Sequence, residues 1–307
     1  MFSKYDYIPA PVQDPNNCHP DLIDNWLPPY GFHPSLAAGI AFCVLFGLIA
    51  IGHTLRTLRF RTWTAILLAI GALTETIGWA GRTWSSKCPY NQNAFLMQIT
   101  TLIIGPTFFA AALYVLLGEL IVIVGRQSTL LSPRMYAIVF CTCDVISLVV
   151  QAIGGAMASM AAGELDGDTW PGTYTMVAGI GFQLFTMTLF LLLVIDFMRR
   201  SFKLNIPRSY KPILGAVLLS LVCIYIRSIY RTLELSGGWN GPLIKDESLF
   251  IGLDATLMVI AAAVFLAADP GRVSRDRRPQ SLKSTEDDGT AMAGFNSSPD
   301  GRDPSVS

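Results

Sequence analysis

Residues 224–234 read IYIRSIYRTLE, with Arg227, Arg231 and Glu234 separated by four and three positions. At 100° per residue the three fall within about 60° of one another on a helix. A guanidinium keeps its charge, so two of them on one stripe of an apolar helix are expensive unless they meet partners or water. The surrounding sequence supplies partners at a regular interval. Glu75 and Arg82, Asp144 and Gln151, Arg227 and Glu234, and Glu247 and Asp254 each lie seven residues apart, two helical turns on nearly the same face. Gln98 and Gln183 add one polar group each to two more apolar runs. None of these stripes suits lipid, so they are expected to converge on a shared interior. Three deep carboxylates (Glu75, Asp144, Asp254) against two deep guanidinium groups (Arg227, Arg231) leave a surplus negative charge. That surplus suits a cationic head group or a proton-coupled step; pairs that only fix helix register and neutralise one another are the alternative.

The elements that must position these groups are long apolar helices. The chain of 307 residues is 52% hydrophobic and 14% charged, against about a quarter charged in soluble proteins. About 20 apolar residues cross a bilayer as a helix, and seven such runs occur: 35–55, 63–82, 95–123, 135–158, 173–197, 212–233 and 248–268. They lack the short alternating segments of a membrane barrel. The expected fold is an all-α seven-transmembrane bundle spanning 35–268. It is preceded by an extracytoplasmic segment, 1–34, and followed by a disordered cytosolic tail, 269–307, rich in Ser, Asp, Arg, Pro and Gly. The N-terminal segment has no apolar core and is not read as a cleaved signal peptide.

Orientation follows from lysine and arginine placement. The 56–61, 125–134 and 198–211 connections and the tail together hold sixteen such residues, whereas the other side holds only Lys4, Arg82, Lys87 and Lys245. The N-terminus is therefore expected outside and the C-terminus in the cytosol. That places the sequon at Asn296 on the side where glycosylation does not occur. With about 1.5 Å of rise per residue, Arg227 and Asp254 lie about 8 and 9 Å below the outer boundary, and Glu75 and Asp144 about 12 and 16 Å. Matching depth makes Arg227 with Asp254 the first expected pair, with Glu75 or Asp144 meeting Arg231. Cys18 and Cys88 share the outer face, where a disulfide could tie the N-terminal segment over the second connection; two unrelated thiols are the alternative. Trp79, Trp84, Trp170 and Trp239 read as interfacial anchors, and Pro106 frees a carbonyl inside span three.

With spans and stripes placed, the chain resembles the fungal lipid-translocating exporter family, the Rta-like seven-span proteins. The likeness covers about residues 30–268. It rests on ETIGWAGR (Glu75, Arg82), QITTLIIGPTFFAAALY (Gln98, Pro106, Tyr114), CDVISLVVQAIGG (Asp144, Gln151) and GIGFQ (Gln183). Its most specific part is RSIYRTLELSGGWNGPLIKDESLFIGLDATLM, with Arg227, Arg231, Glu234, Glu247 and Asp254 at the family's positions. Glu119, Gly39 and Ile251 depart from the pattern. The resemblance implies a fungal membrane protein that exports amphipathic molecules or moves them between leaflets, such as sphingoid bases, sterol-like compounds or toxins. It also implies a role in stress or toxin resistance.

Other classes fit less well. The sequence contains no G-x-x-x-x-G-K-[ST] phosphate loop, so direct use of ATP is not expected. A seven-span lipid sensor or receptor shares the topology. However, GELIVIVGR and FLAADPGR lack the acidic-arginine-aromatic and Asn-Pro-x-x-Tyr elements of common G-protein-coupled receptors. An intramembrane hydrolase would need zinc-binding histidines, and only His19, His33 and His53 occur. The expectation is thus no enzyme, no metal and no cofactor. The bilayer and an amphipathic substrate are the expected partners, with no nucleic acid. The plasma membrane is the expected location, with an internal membrane such as the vacuole's as the alternative. An N-terminal epitope tag should be reached by antibody on intact cells, and a C-terminal tag only after permeabilisation; the reverse staining contradicts the charge count.

Overall fold

A computed structural model describes Cys18, Pro28, residues 31–124, 132–162, 167–203 and 210–238, Gly241, Leu243, Ile244, residues 246–268 and Pro270. Residues 271–307, which include Asn296, together with Trp239 and most of the N-terminal segment lie outside these residues. Among the described residues, seven helices are long and apolar enough to cross a membrane: α1 (Leu36–Phe60), α2 (Trp63–Lys87), α3 (Gln92–Val124), α4 (Pro133–Ala162), α5 (Trp170–Lys203), α6 (Lys211–Ser236) and α7 (Glu247–Ala268). No strand occurs among the described residues. α7 is composite, with an α-helical turn at Glu247–Phe250, a π-helical stretch at Ile251–Thr256 and an α-helix at Leu257–Ala268.

Each helix packs beside its sequence neighbour, and α7 returns to α1. α3 sits inside this ring against α2, α4, α6 and α7, which is why it is apolar on every side rather than along one stripe. Leu102, Leu113, Leu116, Leu117 and Leu120 of α3 are all fully buried. By contrast, Val44, Leu48, Ile51 and Leu55 of α1 are exposed, as a lipid-facing surface requires.

The two ends of the bundle are held differently. At the end carrying Cys88, Cys18 is joined to Cys88 by a disulfide with the Cα atoms 4.7 Å apart. Ser35 caps α1 by accepting the Ala38 N–H, and Asp246 caps α7 by accepting from Ser248 and Leu249. At the opposite end, Arg56 donates to the carbonyl oxygens of Phe265 (2.6 Å) and Leu266, and His53 Nε2 lies 3.1 Å from the Ala262 oxygen. The Arg56 contacts satisfy two carbonyls that the last turn of α7 would otherwise leave open.

Trp79 does not act as an interfacial anchor. It is 0% exposed, with its ring 4.5 Å from Phe42 and 5.8 Å from Phe250. Its position near the end of α2 suggested an interface, but α1 and α7 cover that face. Trp84 and Trp170 are exposed.

α4 and α5 meet through backbone. A Cβ on Gly154 would stand 2.4 Å from Met176 N, and one on Gly172 would stand 2.4 Å from Ala158 N. No side chain can yield there, because the obstacle is main chain. Gly154→Leu should therefore separate α4 from α5 and lower stability by about 1–3 kcal/mol or more, read as a lower thermal midpoint in detergent. Gly181→Ala, with no atom within 4 Å of the added carbon, should leave the midpoint unchanged.

Candidate functional site: a buried ion network beside a polar crevice

The site begins with a missing donor. Pro106 has no N–H, so the carbonyl four residues earlier, Leu102, has no helical partner. Arg227 on α6 fills that vacancy, with Nη2 donating to Leu102 O at 2.6 Å. Its Nε lies 2.9 Å from Asp254 Oδ1 on α7, a short ionic contact without hydrogen-bond geometry. Asp254 sits in the π-helical stretch and is 1% exposed. A π-turn widens the helix locally and often marks a functional position; here Thr256 Oγ1 donates to the Ile251 carbonyl five residues back.

Arg231, one turn from Arg227, does not meet Glu75 or Asp144. Its Nη1 donates to Glu234 Oε2 at 2.6 Å, and its Nε is 3.5 Å from Asp254 Oδ1. Tyr230 adds a 3.1 Å hydrogen bond to Glu234 Oε1. Glu234 is three residues along the same helix, and that local reach wins over a longer span to α2 or α4. Asp254 therefore serves two arginines from α6.

The remaining sequence-predicted residues divide by neighbourhood. Glu75 lies within electrostatic range of Arg227, Asp254 and Arg231, but its Oε1 has no hydrogen-bond partner. It presses against Gly105, where an added Cβ would stand 2.8 Å from Oε1. Asp144 turns elsewhere, accepting from the Tyr114 hydroxyl at 2.9 Å. Tyr114 itself packs on Phe140 and Phe190, 5.4 and 4.5 Å away. Arg82 pairs with Glu247 at 2.5 Å, and Glu247 Oε1 also accepts the Ser35 N–H at 2.9 Å, which ties α1, α2 and α7 together. The Phe250 ring lies 4.7 Å from the Arg82 guanidinium and 5.7 Å from that of Arg231. Gln98 is buried with its backbone against Gly81 and does not line the crevice described next.

Between α3, α4, α5 and α6 runs a narrow crevice with about 30 Å³ of free space, room for a water-sized group. One wall is apolar: Ile103, Pro106, Ile180, Met187 and Ile224. The other is polar: Gln151, Gln183, Arg227, Ser228 and Arg231. Gln151 donates to Ser147 Oγ (2.7 Å) and Gln183 Oε1 (3.0 Å), while Ser147 donates to the Gly179 carbonyl (2.6 Å). The crevice lies where the main core gives way to a small apolar cluster of Met176, Ile180 and Leu235 toward the disulfide end. Of the groups expected to share one interior, Arg227, Arg231, Gln151 and Gln183 line the crevice. Glu234 and Asp254 stand behind the arginines, and Asp144 and the Arg82–Glu247 pair lie apart.

Several partners were missed from sequence. Tyr114 entered the sequence reading only as part of a family motif, and Tyr230 and Phe250 were not singled out in it; their apolar surroundings in the sequence give no sign of polar contacts. The Leu102 carbonyl carried a signal: it is the group a proline at position 106 must orphan.

With this geometry in view, the RTA1-like protein model matches residues 68–277, more than half of the chain. The chain belongs to the RTA1-like family. Among its relatives is the sphingoid long-chain base transporter RSB1 of Saccharomyces cerevisiae, 29% identical, with 84% of this chain and 80% of that protein aligned. Protein RTA1 of the same organism is 26% identical over 78% of this chain and 84% of its own length. Protoporphyrin uptake protein 1, also from that yeast, is 31% identical over 64% of this chain and 65% of its own length. No solved structure matches the chain. This RTA1-like protein is thus an integral membrane protein, with relatives named as a sphingoid long-chain base transporter and a protoporphyrin uptake protein.

The Pro106–Leu102–Arg227 arrangement makes a double-mutant cycle informative. Arg227→Gln should destabilise the wild-type protein by about 3–5 kcal/mol, because Asp254 loses its short ion pair. In a Pro106→Ala background Leu102 regains a helical donor, so the same change should cost about 1 kcal/mol less. Equal costs in both backgrounds, measured by denaturant or thermal midpoint, would dismiss the link.

Proposed function

We propose that this protein moves amphipathic, lipid-like molecules (sphingoid bases, sterol-like compounds or toxins) by export or by translocation between leaflets, without direct use of ATP. The observation that carries this reading is the crevice, with a hydrocarbon-like wall facing a wall of guanidinium, amide and hydroxyl groups. An amphipath needs both walls. Its head group must leave water without losing every hydrogen bond, and its chain must stay in apolar surroundings. The RTA1-like relatives support the same class, since one is named a sphingoid long-chain base transporter and another a protoporphyrin uptake protein.

In this reading the N-terminus and the Cys18–Cys88 disulfide face the outside and the C-terminus faces the cytosol. The plasma membrane is the site of action. Arg227, Arg231, Gln151 and Gln183 form the head-group station. Asp254 and Glu234 hold the arginines in place, and Arg82 with Glu247 braces α1, α2 and α7 around them. Glu75, buried and unpartnered on one oxygen, is the carboxylate that could take up a proton during the cycle.

Purified protein in liposomes should accelerate the leaflet exchange of a fluorescent sphingoid base or its 1-phosphate at least several-fold over protein-free vesicles, followed by dithionite quenching. Asp254→Asn should abolish most of the gain. Exchange no faster than in empty vesicles for either probe would refute transport.

A further inference from the structure

The polar wall has a sign that the charge count along the sequence does not reveal. Five groups supply it, and none is a carboxylate. Asp254 and Glu234 stand behind Arg227 and Arg231 and are occupied by them, Glu75 presses on Gly105, and Asp144 is bound by Tyr114. Asp254 spends one oxygen on both arginines, at 2.9 and 3.5 Å.

The arginines are not used up by these contacts. Arg227 commits Nε to Asp254 and Nη2 to Leu102 O, which leaves Nη1 without a hydrogen-bond partner. Arg231 commits Nε to Asp254 and Nη1 to Glu234, which leaves Nη2. Both residues line the crevice one helical turn apart, so both free donors belong to one face. Gln183 adds an amide whose NH2 makes only a long 3.5 Å contact with Thr107. Donors from two guanidinium groups and an amide, converging beside an apolar wall, match an oxyanion carried on an alkyl chain. An ammonium placed there would face two fixed cations and meet no carboxylate on the wall.

We propose that the crevice selects amphipaths whose head group is an oxyanion, a phosphate or carboxylate, over amphipathic amines of the same chain. The inference rests on reading the crevice as the substrate site; it reverses the cationic head group suggested by counting charges along the spans, and among the molecules proposed above it favours anionic derivatives, such as a sphingoid base 1-phosphate, over the free base. Arg227 is the fixed element, pinned between α3 and α7. Arg231 and Gln183 carry the discrimination.

The test is equilibrium binding in a neutral detergent, using a fluorescent long-chain base and its 1-phosphate with identical chains. The phosphate should bind at least tenfold more tightly. Arg231→Gln should weaken the phosphate at least tenfold. Gln183→Glu, which puts a carboxylate on the wall without changing its size, should reverse the preference. Circular dichroism and gel filtration of both variants check the fold, and Gln183→Glu leaves the ion network intact. Equal or tighter binding of the amine, or a preference unmoved by both variants, overturns the proposal. Inorganic phosphate alone should displace the probe only at far higher concentration; displacement at matching concentration would show a free-anion site and defeat the amphipath assignment. A phosphate preference with no exchange of either probe in vesicles would leave this inference standing and defeat the transport reading.

Discussion

A single backbone carbonyl organises the middle of this protein. Pro106 removes the donor that Leu102 needs, and in a bilayer no water is at hand to replace it. Arg227 supplies the donor from α6, at 2.6 Å. That solution brings a permanent positive charge into the interior, which then requires an anion at close range. Asp254 provides it from the π-helical stretch of α7. Three helices are thereby linked by a sequence of obligations, each created by meeting the one before. Arg231 and Glu234 extend the network by one turn on α6, and Tyr230 completes the hydrogen bonding of Glu234.

The bundle is unequal in how its halves are held. α7 is fixed at three levels: Glu247 with Arg82 and the Ser35 amide at the disulfide end, Asp254 in the middle, and the Arg56 and His53 contacts at the opposite end. α4 and α5 have no ion pair to the rest of the bundle among the described residues. They meet each other through glycine-mediated backbone contact and the Ser147–Gln151–Gln183 hydrogen bonds, and they reach α3 through Tyr114–Asp144 and Gln183–Thr107. The crevice runs along the seam between these halves. Its charged groups come from the ionically braced side, and its amides come from the side held by packing and neutral hydrogen bonds. A seam of this kind can widen without breaking an ion pair.

Much of this was legible in the sequence, for identifiable reasons. Seven apolar runs announce the spans because hydrocarbon thickness sets helix length. Arg227 with Asp254 could be read from opposite charge at equal depth on consecutive spans. The partner of Arg231 could not, because depth matching ignores Glu234 on the same helix, which reaches the guanidinium at far lower cost. Asp144 misled for a different reason: it pairs with a phenol hydroxyl, and a tyrosine in an apolar run looks like packing. Trp79 misled because nearness to a span end does not reveal which face its neighbours cover. The π-helical stretch that carries Asp254 to both arginines has no residue signature. The sign of the crevice depends on which side chains stand in front and which behind, a matter of depth within the bundle that linear spacing does not encode.

The arrangement around Leu102 is best examined by an experimental structure of the full chain in lipid nanodiscs, at a resolution that shows side-chain and carbonyl density. The Arg227 guanidinium should lie within hydrogen-bonding distance of the Leu102 carbonyl and within ion-pair distance of Asp254, with its remaining amino group facing the crevice between α3 and α5. A guanidinium directed into lipid, or a Leu102 carbonyl satisfied by another group while Arg227 and Asp254 stand apart, would contradict it.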